Sequence, residues 1–248
     1  MESRGRSRMT MFLALLAIVD IADYLLNLAA LHFLRPDVNP VFEPVSNYAV
    51  GPHGFLFIAA DFGSGLAALA LALGLFIGIT PSGRSYVGLF VLGLYGVSEL
   101  MAGLFPIDVG GEVTMVGTIH NIVGNVSFFG LPIAVLLLSL GMDKDERWRS
   151  FRRPALAVSL AVVLTVILTI VGSNIGLFGA TQRIANVAAL VWMLAVALQL
   201  RSVARGCLSS ATLAGKVTLR ERLFTQVPRR GVLGNSPLTP GGGIMMRD

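Results

Sequence analysis

Ionisable and amide side chains interrupt the apolar runs of this sequence, and they are the residues whose types could do chemistry. Asp61 and Glu99 each lie inside an apolar run, and His120 and Asn121 stand together near the start of another. Such groups are costly in hydrocarbon, so they mark binding sites, proton paths or contacts between helices. Carboxyl and imidazole groups in one place can bind a polar ligand, transfer protons or hold a metal ion.

The apolar runs themselves indicate a membrane protein. Of the 248 residues, 54% are hydrophobic and only 13% are charged, whereas soluble domains carry about 25% charged residues. A hydrocarbon core of about 30 Å needs roughly 20 apolar residues for each crossing helix. The sequence therefore predicts an all-α, polytopic six-helix bundle, with spans at about 10–34, 54–79, 86–105, 117–140, 155–177 and 182–201.

The two ends of the chain differ from this transmembrane domain, which we place at residues 10–201. Residues 1–9 are predicted to be a basic cytoplasmic N-terminus, and residues 202–248 a basic, flexible and largely disordered cytoplasmic tail. Asp20 and Asp23 interrupt the first apolar run, and no small-residue cleavage site separates it from a soluble domain. We therefore interpret this run as a retained signal anchor rather than a cleaved signal peptide.

The distribution of basic residues predicts the orientation in the membrane. With the N-terminus in the cytoplasm, 17 of the 19 Lys and Arg residues lie on the cytoplasmic side, and Arg35 and Arg183 lie outside. This asymmetry follows the positive-inside rule and predicts a plasma-membrane protein with both termini in the cytoplasm. Topology explains the pI of about 10.0, so membrane lipids, and not nucleic acid, are the expected partners. The single Cys207 excludes an internal disulfide framework.

Most polar residues of the spans fall in one layer. At a rise of 1.5 Å per residue, they lie within about 15 Å of the predicted outer surface. The sequence therefore predicts one polar pocket that opens outward and binds a lipid or small molecule, with the proline-rich loop 35–53 folding over it. We expect His120 to face the acids or Arg183 there. The candidate pocket residues are Asp23, Asn27, Ser46, Tyr48, Asp61, Glu99, Asp108, His120, Asn121 and Arg183.

One alternative is an intramembrane hydrolase that acts on a lipid. Ser46, His120 and Asp108 could form a nucleophile, base and orienting acid. A zinc-dependent version needs about three His or carboxylate ligands plus a water. No close His spacing supports it, so we assign no metal and no cofactor. The weak candidates for metal ligands are His32, His53 and His120.

Two further interpretations of the acids stay open. A proton-coupled transporter would use Asp23, Asp61 and Glu99, although the spans show no internal repeat of the kind common in transporters. The buried acids could instead only join helices, and Arg183 near a helix end could simply extend to water. The sequence thus leaves open an enzyme, a carrier or a binding protein, and it does not predict the oligomeric state.

Four segments taken together resemble the domain-of-unknown-function 998 (DUF998) family of multi-pass membrane proteins. The resemblance covers about residues 12–200 and rests on EPVSNYAVGPHG, LFPIDVGG, GTIHNIVGNVSFFG and GLFGATQRIANVAALVWMLAVAL. The residues that match the family pattern are Ser46, Tyr48, Phe105, Pro106, Asp108, His120 and Phe128. Where the family usually has Glu-Arg before the last span, this chain has Gln182 and Arg183, so the arginine is kept without the carboxylate. The resemblance implies a multi-pass membrane fold and supplies no activity.

Overall fold

The computed structural model describes residues 2–111 and 113–225, and within them the side chains of residues 4–111 and 113–210. This part of the chain is all-α and contains no β-strand. Its α-helices are α1 (Glu2–Leu34), α2 (Gly54–Gly78), α3 (Tyr86–Leu104), α4 (Met115–Gly141), α5 (Glu146–Arg149), α6 (Arg152–Asn174) and α7 (Phe178–Thr225). Short 3₁₀ helices lie at Val45–Ala49, Pro81–Gly83 and Met142–Lys144.

Six of the described helices are long and apolar enough to cross a membrane, and they confirm the predicted number of spans. They are α1, α2, α3, α4, α6 and α7, with mean hydropathies from 1.7 to 2.7 in their most apolar stretches. Because consecutive spans run in opposite directions, loop 35–53 and the connections 105–114 and 175–177 lie at one end of the bundle, here called the loop end. The connections 79–85 and 142–151 lie at the opposite end.

Local signals in the sequence set several helix boundaries. The Ser85 side chain accepts a hydrogen bond from the backbone N–H of Gly88 at the start of α3. The Thr114 side chain accepts one from Gly117 at the start of α4. Such caps satisfy backbone donors that a helix start leaves without partners. They fix the points at which the chain returns into the bundle.

Small residues allow the spans to pack closely. A Cβ atom added to Gly65 of α2 would lie 2.7 Å from the carbonyl oxygen of Gly96 of α3, and one added to Gly96 would lie 2.8 Å from the carbonyl oxygen of Gly65. The two backbones therefore touch at this crossing, which only glycine allows. Alanines such as Ala60, Ala67 and Ala68 are fully buried along the same helix.

The outer surface of the bundle is apolar. Phe12, Phe90 and Leu164 are 60%, 71% and 65% exposed, and each belongs to a different span. A soluble protein rarely exposes so much large apolar surface. With the lengths of the spans, this surface identifies a multi-pass membrane protein.

At the end away from the loop end, Asp145 fixes the connection between α4 and α6. Its carboxylate accepts hydrogen bonds from the backbone N–H of Thr80 at 2.9 Å and from the Arg147 guanidinium at 2.7 Å. Burial of Asp145 favours the neutral acid, but these hydrogen bonds outweigh it and lower its pKa to about 2. Arg147 also donates to the Gly78 carbonyl at 2.8 Å. This pair therefore joins the end of α2 to the connection between α4 and α6.

The predicted last span at about 182–201 lies within α7, which begins at Phe178 and continues to Thr225. The described part of the chain thus has a helix where the predicted cytoplasmic tail begins, and the disorder of that tail stays a prediction. The prediction for residues 226–248 falls outside the part of the chain that the structure describes.

Candidate functional site

A polar cavity of about 140 Å³ lies inside the loop-end half of the bundle. We call it the chamber. Residues of α1, α2, α3, α4 and α7 surround it, and Val45 and Ser46 of loop 35–53 form part of its wall. The polar residues that line it are Tyr24, Ser46, Asp61, Ser64, Tyr95, Glu99, His120, Ser127, Gln182 and Asn186.

Two carboxyl groups face the chamber from neighbouring helices. Asp61 of α2 is 6% exposed, and its Oδ2 has no hydrogen-bond partner among the described residues. Glu99 of α3 interacts electrostatically with Asp61 and lies near the hydroxyl groups of Ser64, Tyr95 and Ser127. The two residues lie at a similar depth below the loop end. At 1.5 Å per residue, Asp61 is about 10 Å from the start of α2 and Glu99 is about 8 Å from the end of α3.

Hydroxyl and amide groups complete the polar wall. Asn186 of α7 donates to the Tyr24 hydroxyl of α1 at 3.0 Å, and the Ser64 and Tyr95 hydroxyls are hydrogen-bonded at 2.8 Å. Tyr24, Ser64, Tyr95 and Ser127 are not among the pocket residues predicted from the sequence. Helical spacing offered a signal for the last three, since residues three, four or seven apart share one helix face. Ser64 follows Asp61 by three, Tyr95 precedes Glu99 by four, and Ser127 follows His120 by seven.

His120 lies between the chamber and the connection from α3. Its Nδ1 is 2.8 Å from the carbonyl oxygen of Phe105. A carbonyl only accepts hydrogen bonds, so Nδ1 carries a proton and donates it. Nε2 is therefore the ring atom left for the chamber. In a hydrolytic triad the orienting acid would accept the Nδ1 hydrogen bond, and here the Phe105 carbonyl takes that place.

Asp108 instead holds the start of α4. Its two carboxylate oxygens accept hydrogen bonds from the backbone N–H and the hydroxyl of Thr114, each at 2.7 Å. These hydrogen bonds lower the pKa of Asp108, and the nearby His120 acts in the same direction. The carboxylate also packs directly on Gly117, where a side chain would collide with it. The Phe-Pro-x-Asp exit of α3 therefore caps the next helix.

Loop 35–53 forms a fixed roof over the chamber. Arg35, 6% exposed, binds Asp37 through two donors at 2.8 and 2.9 Å and donates to the Val50 and Pro52 carbonyls at 2.8 and 3.0 Å. The Arg35 hydrogen bonds lower the pKa of Asp37. Buried Tyr48 packs beneath the roof with Leu31, Val38, Val45 and Phe57. The two ends of the loop are thus held together by one arginine.

Arg183 of α7 attaches the roof to the bundle. Its guanidinium donates to the Pro40 and Glu43 carbonyls at 3.0 and 2.9 Å, and to Nε2 of His32 at 3.1 Å. It also lies 5.7 Å from the centre of the Tyr48 ring. These hydrogen bonds direct Arg183 toward the roof, so it is a structural anchor beside the chamber rather than part of its lining.

Next to the chamber lies a larger cavity of about 360 Å³, which we call the groove. It runs between α4 and α6 beneath the start of α7, and its walls include Phe129 and Ile170, which are 49% and 45% exposed on the outer surface. Asn121 and Asn125 add amide groups to the groove. The residues that line both cavities are Ser46, His120, Gly124, Phe128 and Gln182.

The structure brings together only some of the ten predicted pocket residues. Ser46, Asp61, Glu99 and His120 line the chamber, and Asn121 lines the groove. Asp23 instead abuts Gly63 of α2, where an added Cβ would lie 3.1 Å from the carboxylate. Asn27 donates to the Asp23 carbonyl at 3.0 Å. Tyr48, Asp108 and Arg183 belong to the roof, the α4 cap and the roof anchor described above.

The three histidines proposed as weak metal ligands have separate surroundings. His32 contacts Arg183, His53 is exposed at the loop end with a φ of 60°, and His120 contacts Phe105. Within residues 2–111 and 113–225, no group of three His, Cys, Asp or Glu side chains is placed to hold a metal ion.

Comparison with known proteins identifies one family. A family model described as protein of unknown function (DUF998) matches residues 21–199. No curated protein and no solved structure matches the chain. The matched range includes part or all of each of the six spans and the walls of both cavities, and it lies within the segment that carries the resemblance noted from the sequence.

Proposed function

The chain belongs to the DUF998 family of proteins of unknown function, and we propose that it binds an amphiphilic small molecule or lipid at the loop end of its bundle. The polar head would enter the chamber, and the apolar part would lie in the groove. The observation that carries this proposal is the junction of a cavity lined by two carboxyl groups with a larger, more apolar cavity that reaches the lipid-facing surface between α4 and α6.

The shape and lining of the two cavities support this division of the ligand. Binding sites for small molecules are concave, mostly apolar and provided with a few polar groups that fix orientation. Here the two carboxyl groups line only the chamber, whereas Phe129, Ile170 and Phe178 contribute apolar wall to the groove. An amphiphile could therefore reach the chamber sideways from the membrane, without crossing the roof.

We further propose that the chamber lies in the outer half of a plasma membrane, with both termini in the cytoplasm. The charge distribution supports this orientation, since Arg35 and Arg183 are the only Lys or Arg residues at the loop end within residues 2–111 and 113–225. Both of these arginines hold the roof by hydrogen bonds. The two arginines are therefore at the loop end for a structural reason, and they do not count against the positive-inside rule.

Binding accounts for the geometry better than hydrolysis. Asp108 is engaged by Thr114, and Nδ1 of His120 is engaged by Phe105. Ser46 and His120 line the same cavity, but a nucleophile and a base without an orienting acid form an incomplete hydrolytic set.

The direct experiment is purification in a mild detergent followed by mass spectrometry of the small molecules extracted from the protein. We expect one amphiphile to be present in an amount comparable to that of the protein. If only the phospholipid mixture of the membrane is recovered, and added amphiphiles do not bind, the proposed function is wrong.

A further inference from the structure

We propose that the chamber selects a ligand whose head group is a protonated primary amine, bound between Asp61 and Glu99. This inference rests on the proposed function, and it adds the chemical class of the head group. The carboxyl groups of two helices face the same small cavity, whose other described polar lining consists of hydroxyl and amide groups and the His120 ring, with no lysine or arginine. The chamber is therefore built to receive hydrogen-bond donors and positive charge.

The first support is that an acceptor in the chamber lacks a donor. Oδ2 of Asp61 is buried and has no hydrogen-bond partner in the described part of the chain. Buried polar atoms are nearly always hydrogen-bonded, so this oxygen calls for a donor. An ammonium group carries three N–H donors. It could satisfy Asp61 and Glu99 together.

The second support is the charge around the two acids. Among the described residues that line the chamber there is no lysine or arginine. The neighbouring cation Arg183 does not line the chamber: its Nε and one terminal nitrogen donate to His32 and the roof carbonyls, and its other terminal nitrogen has no partner among the described residues. A carboxylate away from water needs a partner of opposite charge. A cationic ligand supplies this partner, whereas an anionic head group would meet two acids.

The third support is size. The chamber volume of about 140 Å³ has room for several water molecules, each needing roughly 10–15 Å³ of such space, or for a head group of a few heavy atoms. The adjoining groove is larger and more apolar. An amine on a single apolar chain therefore fits the two cavities better than a bulky double-chain phospholipid head group.

The test compares three probes with the same chain length, namely dodecylamine, 1-dodecanol and dodecanoate. Each is added at neutral pH to purified full-length protein, and native mass spectrometry counts the bound molecules. The variants are Asp61→Asn and Glu99→Gln, which keep the side-chain shape and remove the charge. Asp20→Asn is the matched control, because Asp20 also has a buried carboxyl oxygen without a partner among the described residues but does not line the chamber.

We expect one dodecylamine per protein and little dodecanoate, with 1-dodecanol binding about tenfold more weakly than the amine, as loss of a charge-assisted hydrogen bond predicts. Asp61→Asn and Glu99→Gln should each reduce the preference for amine over alcohol by about tenfold, whereas Asp20→Asn should preserve it. Circular dichroism and thermal unfolding check that each variant is folded.

The outcomes separate this inference from the proposed function. Equal binding of amine and alcohol, or amine binding unaffected by both chamber substitutions, would overturn the amine assignment and leave amphiphile binding intact. If none of the three probes binds, while a different amphiphile is found bound to the purified protein, the amine assignment also fails. If nothing binds at all, the proposed function fails with it.

Discussion

Arg183 donates a hydrogen bond from Nε to Nε2 of His32 across 3.1 Å, and this contact joins α7 to α1 beneath the roof. Nδ1 of the same ring lies 2.7 Å from the Leu28 carbonyl, which can only accept. The His32 ring is therefore neutral, with its proton on Nδ1 and its Nε2 lone pair directed at the guanidinium. Arg183 uses a histidine as an acceptor, just as it uses the Pro40 and Glu43 carbonyls.

The first prediction is that His32 and Arg183 are energetically coupled. The single variants His32→Ala and Arg183→Gln should each lower the thermal stability in detergent. The double variant should lose less stability than the sum of the two single losses. Contacting residues typically show a coupling of about 0.5–3 kcal/mol. His53→Asn is the control, because His53 is exposed and Asn tolerates its positive φ. Additive losses for His32 and Arg183 would contradict the contact.

The second prediction concerns the close approach of the roof to α7. A Cβ atom on Gly179 would collide with the Glu43 carbonyl oxygen and would lie 2.8 Å from that of Pro40. Gly179→Ala should therefore destabilise the protein by about 1–3 kcal/mol, the usual cost of overpacking.

Its control is Gly93→Ala on α3, since a Cβ atom at Gly93 has no atom within 4 Å in the described structure. Alanine there should be neutral or stabilising by up to about 1 kcal/mol, because it favours a helix. Thermal unfolding in detergent measures both variants. Equal stability of the two alanine variants would mean that the roof does not rest on Gly179.

The third prediction is a pH dependence from Asp145. Its folded-state pKa of about 2 lies below the ordinary value of 3.8. The carboxylate therefore stabilises the fold fully above the ordinary value, and this contribution is lost as the pH falls from about 4 toward 2. Asp145→Asn should cost about 1–3 kcal/mol near neutral pH. The difference in melting temperature between wild type and variant should shrink on acidification. A difference that stays constant down to pH 2 would contradict the assignment.

The number and approximate positions of the spans could be predicted from the sequence because membrane thickness sets the length of an apolar helix. The depth of the polar residues was also readable, since each helical residue advances 1.5 Å. Depth is why Asp61, Glu99 and His120 were grouped, and these three do line one cavity.

The rotation of each helix about its axis, which decides which side chains face the cavity, could not be predicted in the same way. Asp23 lies at a similar depth to Tyr24, yet Asp23 packs against Gly63, whereas Tyr24 faces the chamber. Arg183 was expected to face the acids, but its donors go to loop carbonyls. The irregular backbone of loop 35–53, which provides those acceptors, has no periodic pattern in the sequence. Helix rotation and loop conformation are set by packing between segments that are distant in the sequence, so no local sequence pattern predicts them.

The fourth prediction tests the orientation. Cysteines replace Phe42 and Val113, which are 59% and 89% exposed at the loop end, in a Cys207→Ser background. A membrane-impermeant maleimide should label both on intact cells. In the wild type, the native Cys207, which belongs to the opposite end beside Arg147, should be labelled only after the cells are opened. Labelling of Cys207 on intact cells would reverse the orientation.

The central claim is that the chamber and the groove together hold one amphiphile. Gly124 lines both cavities, and a Cβ atom at this position would meet no described atom within 4 Å. Gly124→Leu should therefore fill the junction without straining the helix. Gly93→Leu is the matched control, because Gly93 is equally open and lines neither cavity.

The most direct measurement is the amount of amphiphile that co-purifies with each variant, determined by quantitative mass spectrometry of extracts from equal amounts of folded protein. We predict that wild type and Gly93→Leu carry the same molecule in about the same amount. Gly124→Leu should carry about tenfold less of it, the reduction expected when the binding free energy weakens by roughly 1.4 kcal/mol. If Gly124→Leu retains the wild-type amount, the two cavities are not the binding site.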